Sequence, residues 1–264
     1  MRHLSSDLDI NVSQPADIVL SIAVSSSYAP REESLTMTLD GQPVDFHEVT
    51  APGEGRLHRV RPGAGELKVS YRATVAEPST KVPLHEADEI LYGRPSRYCD
   101  SDRLLHVAGG HFRGLQGREL VDAVREWVAT NIVYVPGSSR VVDGALDTYL
   151  SRRGVCRDSA HLVVTFLRAR GLPARLVSVY APGLQPMDFH AVAEVLLDGV
   201  WYVLDATGLA PRETMVRIMT GRDASDTAFM TTLSGRTQLR RLAVNATAEG
   251  TLPVEDPGKL VVVG

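Results

Sequence analysis

The sequence predicts an α+β protein in which a small antiparallel β domain, most simply a sandwich, precedes a core of helices and antiparallel strands. Three observations predict this fold: apolar residues alternate at period two in the first third, two later segments have helical spacing, and β-rich runs follow them. We expect a β domain at residues 1–80, a connector at 81–115 and a second domain at 116–264. A length of 264 residues suits one large domain or two small ones.

Strand periodicity dominates the β domain. Residues 35–39 alternate apolar and polar side chains and run into Asp40-Gly41, a dipeptide that favours a tight hairpin. After a segment rich in glycine and proline, residues 67–75 again carry apolar side chains at every second position. No helical period competes with this pattern, which therefore predicts an antiparallel sheet.

Helices and then strands are predicted in the second domain. After a connector that contains several prolines, residues 118–131 place Leu120, Val124 and Val128 on one stripe, as in an amphipathic helix. A second helix is predicted at 156–170, where Gly171 and then a proline follow it. Strands are predicted at 175–180, 191–197 and 200–206, and the last two flank the hairpin dipeptide Asp198-Gly199.

Composition and charge exclude several classes of function. Lys and Arg number 28 and Asp and Glu 32, a net charge of -4 that gives no basic surface for nucleic acid or an anionic membrane. No stretch approaches the roughly 20 apolar residues of a membrane span. Acidic residues interrupt the N-terminal segment, so we read no secretory signal. Two cysteines are too few for a disulfide framework, and a cytoplasmic location is predicted.

Cys156 is the candidate nucleophile. Gly154 permits a tight entry, and the helical pattern begins just after it, so the thiol lies at a predicted helix N-terminus. The helix dipole and the unpaired N–H groups there favour thiolate over thiol, and neighbouring arginines act in the same direction. Cys99 instead has Asp100 and Asp102 beside it, which disfavour the thiolate. We therefore interpret Cys99 as a structural thiol.

A cysteine nucleophile needs a base, and the base needs an orienting group. With Asp198 and Gly199 at the centre of the turn, Val192 faces Asp205 across the hairpin, and His190 is a diagonal neighbour of Asp205 on the same face. Their Cα atoms should lie roughly 7–8 Å apart. A register slip of one residue would send the two side chains to opposite faces.

Other titratable residues fit catalytic roles less well. His161 lies about 140° around the helix from the thiol, and the remaining histidines have no placed carboxylate partner. Asp158 is better suited to capping the first helical turn. Glu194 shares the face of His190 but is four residues away, and a solvated charge is the simpler interpretation.

Three segments, GVCRDSAHLVVTFLRARGLPARLVSVY, DFHAVAEVLLDGVWYVLDATGLAP and GRDASDTAF, resemble the core of bacterial transglutaminase-like proteins, a superfamily of papain-like thiol enzymes. The segment YGRPSRYCDSDRL and the strands before it resemble the β domain and connector of one bacterial branch. The resemblance implies Cys156 as nucleophile, His190 as general base and acid, and Asp205 as the orienting residue. It also makes 116–264 the catalytic domain and implies no metal. Ser159 and Val192 depart from the usual pattern, which leaves substrate choice open.

The expected chemistry is acyl transfer through these three residues on a protein or peptide substrate, without a cofactor. The backbone N–H of Cys156 is one expected oxyanion donor, and the second remains open among Tyr134, Trp127, Ser138 and Ser139. Hydrolysis is preferred to crosslinking because nothing indicates a dry tunnel. Two alternatives stay open: a non-catalytic binding or scaffold protein on the same fold, and a metal-dependent hydrolase, which the absence of ligand-type spacing disfavours.

Overall fold

The computed structural model describes residues 1–76 and 83–263. A β-rich segment of β1 to β6 is followed by a longer segment of helices and strands, and the chain then returns to the first sheet. The elements in chain order are β1 Arg2–Leu20, β2 Glu32–Leu39, β3 Gln42–Pro43, β4 Phe46–Thr50, β5 Arg56–Val60, β6 Gly65–Val75, α1 Glu86–Gly93, α2 Leu105–His111, α3 Gly117–Asn131, β7 Val133–Tyr134, α4 Ala145–Ser151, β8 Arg153–Gly154, α5 Cys156–Ala169, β9 Ala174–Tyr180, β10 Phe189–Leu197, β11 Val200–Leu204, a 3-10 helix Arg212–Thr214, β12 Val216–Gly221, α6 Ala224–Thr227 and β13 Met230–Ala248.

The first sheet is antiparallel and, within the described part of the chain, has seven strands. The path β3-β2-β6-β1-β5-β4 is completed by β13, which pairs with β1 along nearly its whole length. The dipeptide Asp40-Gly41 forms the predicted hairpin turn, with φ angles of 50° and 82° that suit a tight turn between twisted strands. The C-terminal part of the chain therefore supplies a strand to the N-terminal sheet.

The second sheet carries the helices. Its four strands in the described residues follow the order β11-β10-β9-β12, all antiparallel. Helix α5 packs against β9 and β10, and α3 and α4 pack on α5. The buried face of α5 contributes Leu162, Val163 and Phe166 to a core shared with the apolar stripe of α3. This packing fixes the N-terminus of α5 against the second sheet.

One hydrophobic core joins the two sheets. Tyr180 of β9 is buried among residues of the first sheet, and its ring stacks on Tyr71 of β6 at 6.3 Å. Its hydroxyl donates to the carbonyl of Ile22 at 2.8 Å and lies 3.1 Å from Oγ of Ser6. Because a buried hydroxyl needs a partner, these contacts hold the segment after β1 against β9.

Glu194 corrects one expectation, because it is fully buried and not solvated. Nε of Arg175 donates to Oε2 of Glu194 at 2.7 Å, and Nη1 of Arg217 donates to the same oxygen at 3.1 Å. Burial raises the pKa of the Glu194 carboxyl, but the two guanidinium groups outweigh it and hold the pKa below its ordinary value. The polar-apolar alternation of the strand could not predict these two arginine partners, because Arg217 comes from the distant strand β12.

The predicted α+β class is confirmed, with a curled antiparallel sheet beside a helix-bearing core. Helix α3, helix α5 and the three strands after α5 lie within two residues of their predicted bounds at nearly every end. The predicted boundary between residues 80 and 81 lies outside the described residues, and the ranges 1–80, 81–115 and 116–264 stay predictions. Among the helices of the described chain, none is long and apolar enough to cross a membrane.

Candidate active site

Cys156 is the first residue of α5. Val155 precedes the helix, and its N–H donates to Oδ2 of Asp158 at 2.9 Å, which closes the first turn. This is the capping role predicted for Asp158. Gly154 lies so close to this carboxylate that a Cβ at residue 154 would be 2.6 Å from Cβ of Asp158. Glycine is therefore required for the chain to enter α5 at this angle.

The hairpin of β10 and β11 has the predicted register. Leu197 faces Val200 and Ala193 faces Leu204. The turn residues Asp198 and Gly199 have φ angles of 49° and 77°, which suit the tight hairpin that the dipeptide predicts.

His190 and Asp205 meet at the end of this hairpin. Nε2 of His190 lies 2.7 Å from Oδ2 of Asp205, and both side chains are buried. The other carboxylate oxygen, Oδ1, accepts the N–H of Thr207 at 2.7 Å and its hydroxyl at 2.6 Å. Sequence reasoning missed Thr207, although a threonine two residues after an aspartate is a recognisable turn signal. Thr207 fixes the carboxylate that orients the imidazole.

Charge sets the protonation of this pair. Burial lowers the pKa of His190, but the carboxylate of Asp205 and the side chain of Cys156 outweigh it and raise the pKa to about 10. Burial raises the pKa of Asp205, and His190 and Thr207 reverse that effect and hold it below its ordinary value. At neutral pH the pair is therefore an imidazolium and a carboxylate.

The thiol and the imidazole share one cleft. Cys156 and His190 both line a cavity of about 580 Å³. Since Nε2 of His190 is engaged by Asp205, Nδ1 is the remaining nitrogen, and it is buried with no hydrogen-bond partner among the described residues. The side chain of Cys156 nevertheless interacts with His190 closely enough to raise its pKa. The structure thus brings the three predicted residues together.

Cys99 lies apart from the cleft. It is fully buried, and its Sγ donates to the carbonyl of His161 at 3.6 Å. Burial raises its pKa to about 12. The sequence also predicted a thiol that does not ionise readily, but from the flanking aspartates, whereas burial is the larger cause of the raised pKa. His161 is also buried, and its Nε2 accepts the N–H of Ala224 at 3.1 Å.

The candidates for a second oxyanion donor separate in the structure. Trp127 packs its ring against Phe166 in the helical core. Ser138 donates to the carbonyl of Val135, and Ser139 donates to Oδ1 of Asp158.

Tyr134 lies on the strand that pairs with the segment leading into Cys156. It pairs with Gly154 across β7 and β8, two residues before Cys156. Burial raises the pKa of its hydroxyl, and the charge of Cys156 is the next largest cause.

Metal-ligating side chains do not gather in the described part of the chain: no group of three or more histidine, cysteine, aspartate or glutamate residues could hold an ion there. His190 is the histidine that lines the cleft within residues 1–76 and 83–263.

The chain is similar to transglutaminase-like proteins. Residues 113–206 match the sequence profile of the transglutaminase-like superfamily. A crystal structure from Cytophaga hutchinsonii, of a protein provisionally described as a cysteine protease, is 31% identical to this chain with a TM-score of 0.86. The match covers 95% of this chain and 91% of that one.

Two mycobacterial relatives, both uncharacterized, match parts of the chain. The protein from Mycobacterium leprae is 28% identical over 169 residues, which are 60% of this chain and 59% of that protein. The protein from Mycobacterium tuberculosis is 39% identical over 69 residues, 25% of this chain and 22% of that protein. The matches thus span about three fifths and about a fifth of those relatives.

Proposed function

The chain belongs to the transglutaminase-like superfamily, and we propose that it is a thiol-dependent acyl-transfer enzyme that acts on peptide or carboxamide bonds. Cys156 is the nucleophile, His190 the general base and acid, and Asp205 the group that orients the imidazole. One observation carries the proposal: His190 is bonded to Asp205 at 2.7 Å and shares a cleft with Cys156 at a helix N-terminus. The description of the Cytophaga hutchinsonii protein as a cysteine protease supports it.

The first chemical step is attack by the sulfur of Cys156 on the substrate carbonyl carbon. Because its pKa is raised to about 10, His190 is protonated at neutral pH, with Nε2–H directed at Asp205 and Nδ1–H available for transfer to the leaving group. When the C–N bond breaks, this imidazolium gives its proton to the leaving amine. The product of the step is a thioester on Cys156.

Two donors stabilise the oxyanion of the tetrahedral intermediate. Cys156 is the first residue of α5, so its N–H has no partner within the helix and faces the developing charge. We assign the second donor to the hydroxyl of Tyr134; its strand position beside Gly154 and the influence of Cys156 on its pKa support this assignment.

Water then releases the acyl group, with His190 as general base. We prefer hydrolysis to crosslinking because water exceeds any amine in concentration unless the site excludes it. The substrate is a protein or peptide. The cytoplasmic location and the absence of nucleic-acid and membrane partners stay predictions from the sequence.

Differential alkylation tests the proposal. Iodoacetamide near pH 7 should modify Cys156 at least about 100 times faster than the buried Cys99, since an activated thiolate is the reacting species. Peptide mapping by mass spectrometry measures both rates on one sample. Equal slow rates would contradict an activated nucleophile.

A peptide-amide library with and without a primary amine then measures turnover and the choice of acceptor. Cys156→Ala should abolish release of product, and Cys99→Ala, a matched removal of a thiol outside the cleft, should retain it. Absence of turnover and of a thioester, with a partner retained by Cys156→Ala, would instead support a binding protein on this fold.

A further inference from the structure

Two serines that line the cleft each have a buried hydroxyl without a hydrogen bond. Oγ of Ser21, just after β1, and Oγ of Ser178, on β9, are both buried and have no partner among the described residues. Buried hydroxyls are nearly always hydrogen-bonded in proteins, because an unpaired one costs folding free energy. Two of them in one cavity beside Cys156 therefore indicate groups that a ligand satisfies.

The remaining lining next to these serines is aromatic and aliphatic. Phe189 and Phe229 stack at 5.4 Å between ring centroids, and Leu176 and Ile218 add aliphatic surface. Leu242 of β13 also lines the cavity. The walls thus come from both sheets and suit a flat apolar group.

Charge in the cleft argues against an anionic ligand. Arg157 lines it, but its guanidinium already donates to Oδ1 of Asp158 and to the carbonyl of Arg140. The carboxylate of Asp188 lines the same cleft and would repel an acid. The unpaired serine hydroxyls and the aromatic walls, rather than this carboxylate, indicate a neutral polar group.

We propose that this cleft is a specificity subsite for a tyrosine side chain of the substrate. The ring lies against Phe189 and Phe229, and the phenol hydroxyl bonds to Ser21 and Ser178. The proposal rests on the proposed function, which places the scissile bond at Cys156.

A phenol matches two serine hydroxyls because it donates one hydrogen bond and accepts another, and each serine can serve either role. Rotation about the Cα–Cβ bond of a serine, between staggered rotamers, turns its oxygen toward the cavity. A tyrosine thereby satisfies both orphaned oxygens, whereas phenylalanine leaves them unpaired. Sites of this kind select strongly for the hydroxyl-bearing partner. The segment after β1 is therefore part of substrate recognition.

A pair of affinity labels tests the subsite. N-(4-hydroxyphenethyl)iodoacetamide and N-phenethyliodoacetamide differ by one hydroxyl and react alike with free glutathione, which serves as the reference. We expect the hydroxylated label to alkylate Cys156 about tenfold faster, since each of two hydrogen bonds contributes a few-fold. Equal rates on the native chain would overturn the proposal.

Serine variants locate the effect. Ser21→Ala and Ser178→Ala remove the two hydroxyls without leaving a partner unpaired, so both should fold, and thermal melting checks this. Each should reduce the rate ratio, and the double variant should bring it to about one. Ser13→Ala removes the hydroxyl of an exposed serine of β1, which donates to the carbonyl of Arg236; it is the matched control and should keep the ratio. A ratio that survives the double variant would also overturn the proposal.

A binding measurement separates the subsite from the catalytic proposal. N-acetyltyrosinamide and N-acetylphenylalaninamide are titrated into Cys156→Ala, and chemical shifts follow binding. Tighter binding of the tyrosine compound supports the subsite even if Cys156 of the native chain is inert to plain iodoacetamide, a result that would end the proposed function alone. Equal binding of the two compounds overturns the subsite.

Discussion

Asp205→Asn tests how the carboxylate controls the imidazole. The pKa of His190 is about 10 against an ordinary value of 6.5, although burial acts to lower it. At about 1.36 kcal/mol per pKa unit the difference corresponds to about 5 kcal/mol between the two protonation states. This agrees with the roughly 3–5 kcal/mol for breaking a buried ion pair. In the asparagine variant the pKa of His190 should fall well below 10, because only the side chain of Cys156 then opposes burial.

Stability and pH are linked through this pair. Because the folded pKa of His190 is raised, its contribution is complete below pH 6.5 and is lost as the pH rises through about 10. The lowered pKa of Asp205 adds a contribution that is present above its ordinary pKa and lost in stronger acid. The native chain should therefore exceed Asp205→Asn by about 3–5 kcal/mol near pH 6 and by progressively less toward pH 10.

Urea unfolding at pH 6, 8 and 10 measures this difference, and initial rates on an amide substrate measure catalysis. Acyl transfer at pH 7 should fall by about 10²–10⁴-fold, the usual contribution of a positioned acid and base. Asp188→Asn is the control, since it removes a charge near His190 from a carboxylate that accepts the N–H of Phe189 and is not hydrogen-bonded to the imidazole. Equal effects of the two variants, or a difference from native that does not shrink with pH, would refute the reasoning.

Three further variants give independent tests. Tyr134→Phe should lower kcat by about 10²–10³-fold with KM nearly unchanged, as for loss of an oxyanion donor, and a proportional rise in KM would contradict that role. Gly154→Ala should lower the free energy of unfolding by about 1–3 kcal/mol, since its Cβ would lie 2.6 Å from Cβ of Asp158. Urea unfolding measures this, and an unchanged free energy would mean that α5 shifts freely to make room. Tyr180→Phe should lower the free energy of unfolding by about 1–3 kcal/mol, because the buried carbonyl of Ile22 loses its donor. An unchanged midpoint of urea unfolding would mean that this hydrogen bond does not hold the sheets together.

The geometry of the site was accessible to sequence reasoning where local rules govern it. A dipeptide fixed the hairpin turn, the turn fixed the register, and the register placed His190 near Asp205. Cys156 could be placed because a helix start has recognisable neighbours, including the glycine at 154 and the capping aspartate. Each inference spans fewer than twenty residues, within which turn chemistry and capping dominate.

Pairings between residues far apart in the sequence could not be predicted from local patterns. Strand β13 pairs with β1 across more than two hundred residues of sequence, for example Arg2 with Ala248, and polar-apolar alternation in a strand does not name its partner. The short helices α1 and α2 carry few apolar positions, so their period is weak. Glu194 was misjudged for a related reason, because its two arginine partners come from different strands.

Those same long-range pairings shape the substrate side of the cleft. The proposed nucleophile and the proposed base come from the helix-bearing core, yet Ser21 and Leu242 of the cleft wall belong to the first sheet or its continuation. The N–H of Ser21 donates to the carbonyl of Phe229 at 2.9 Å, so the wall from β1 is fixed to the segment before β13. Under the proposed subsite, a link of this kind would let the first sheet set which side chain fits while the chemistry stays with the core. Substitutions in the first sheet should therefore change selectivity between substrates more than the rate of acyl transfer itself.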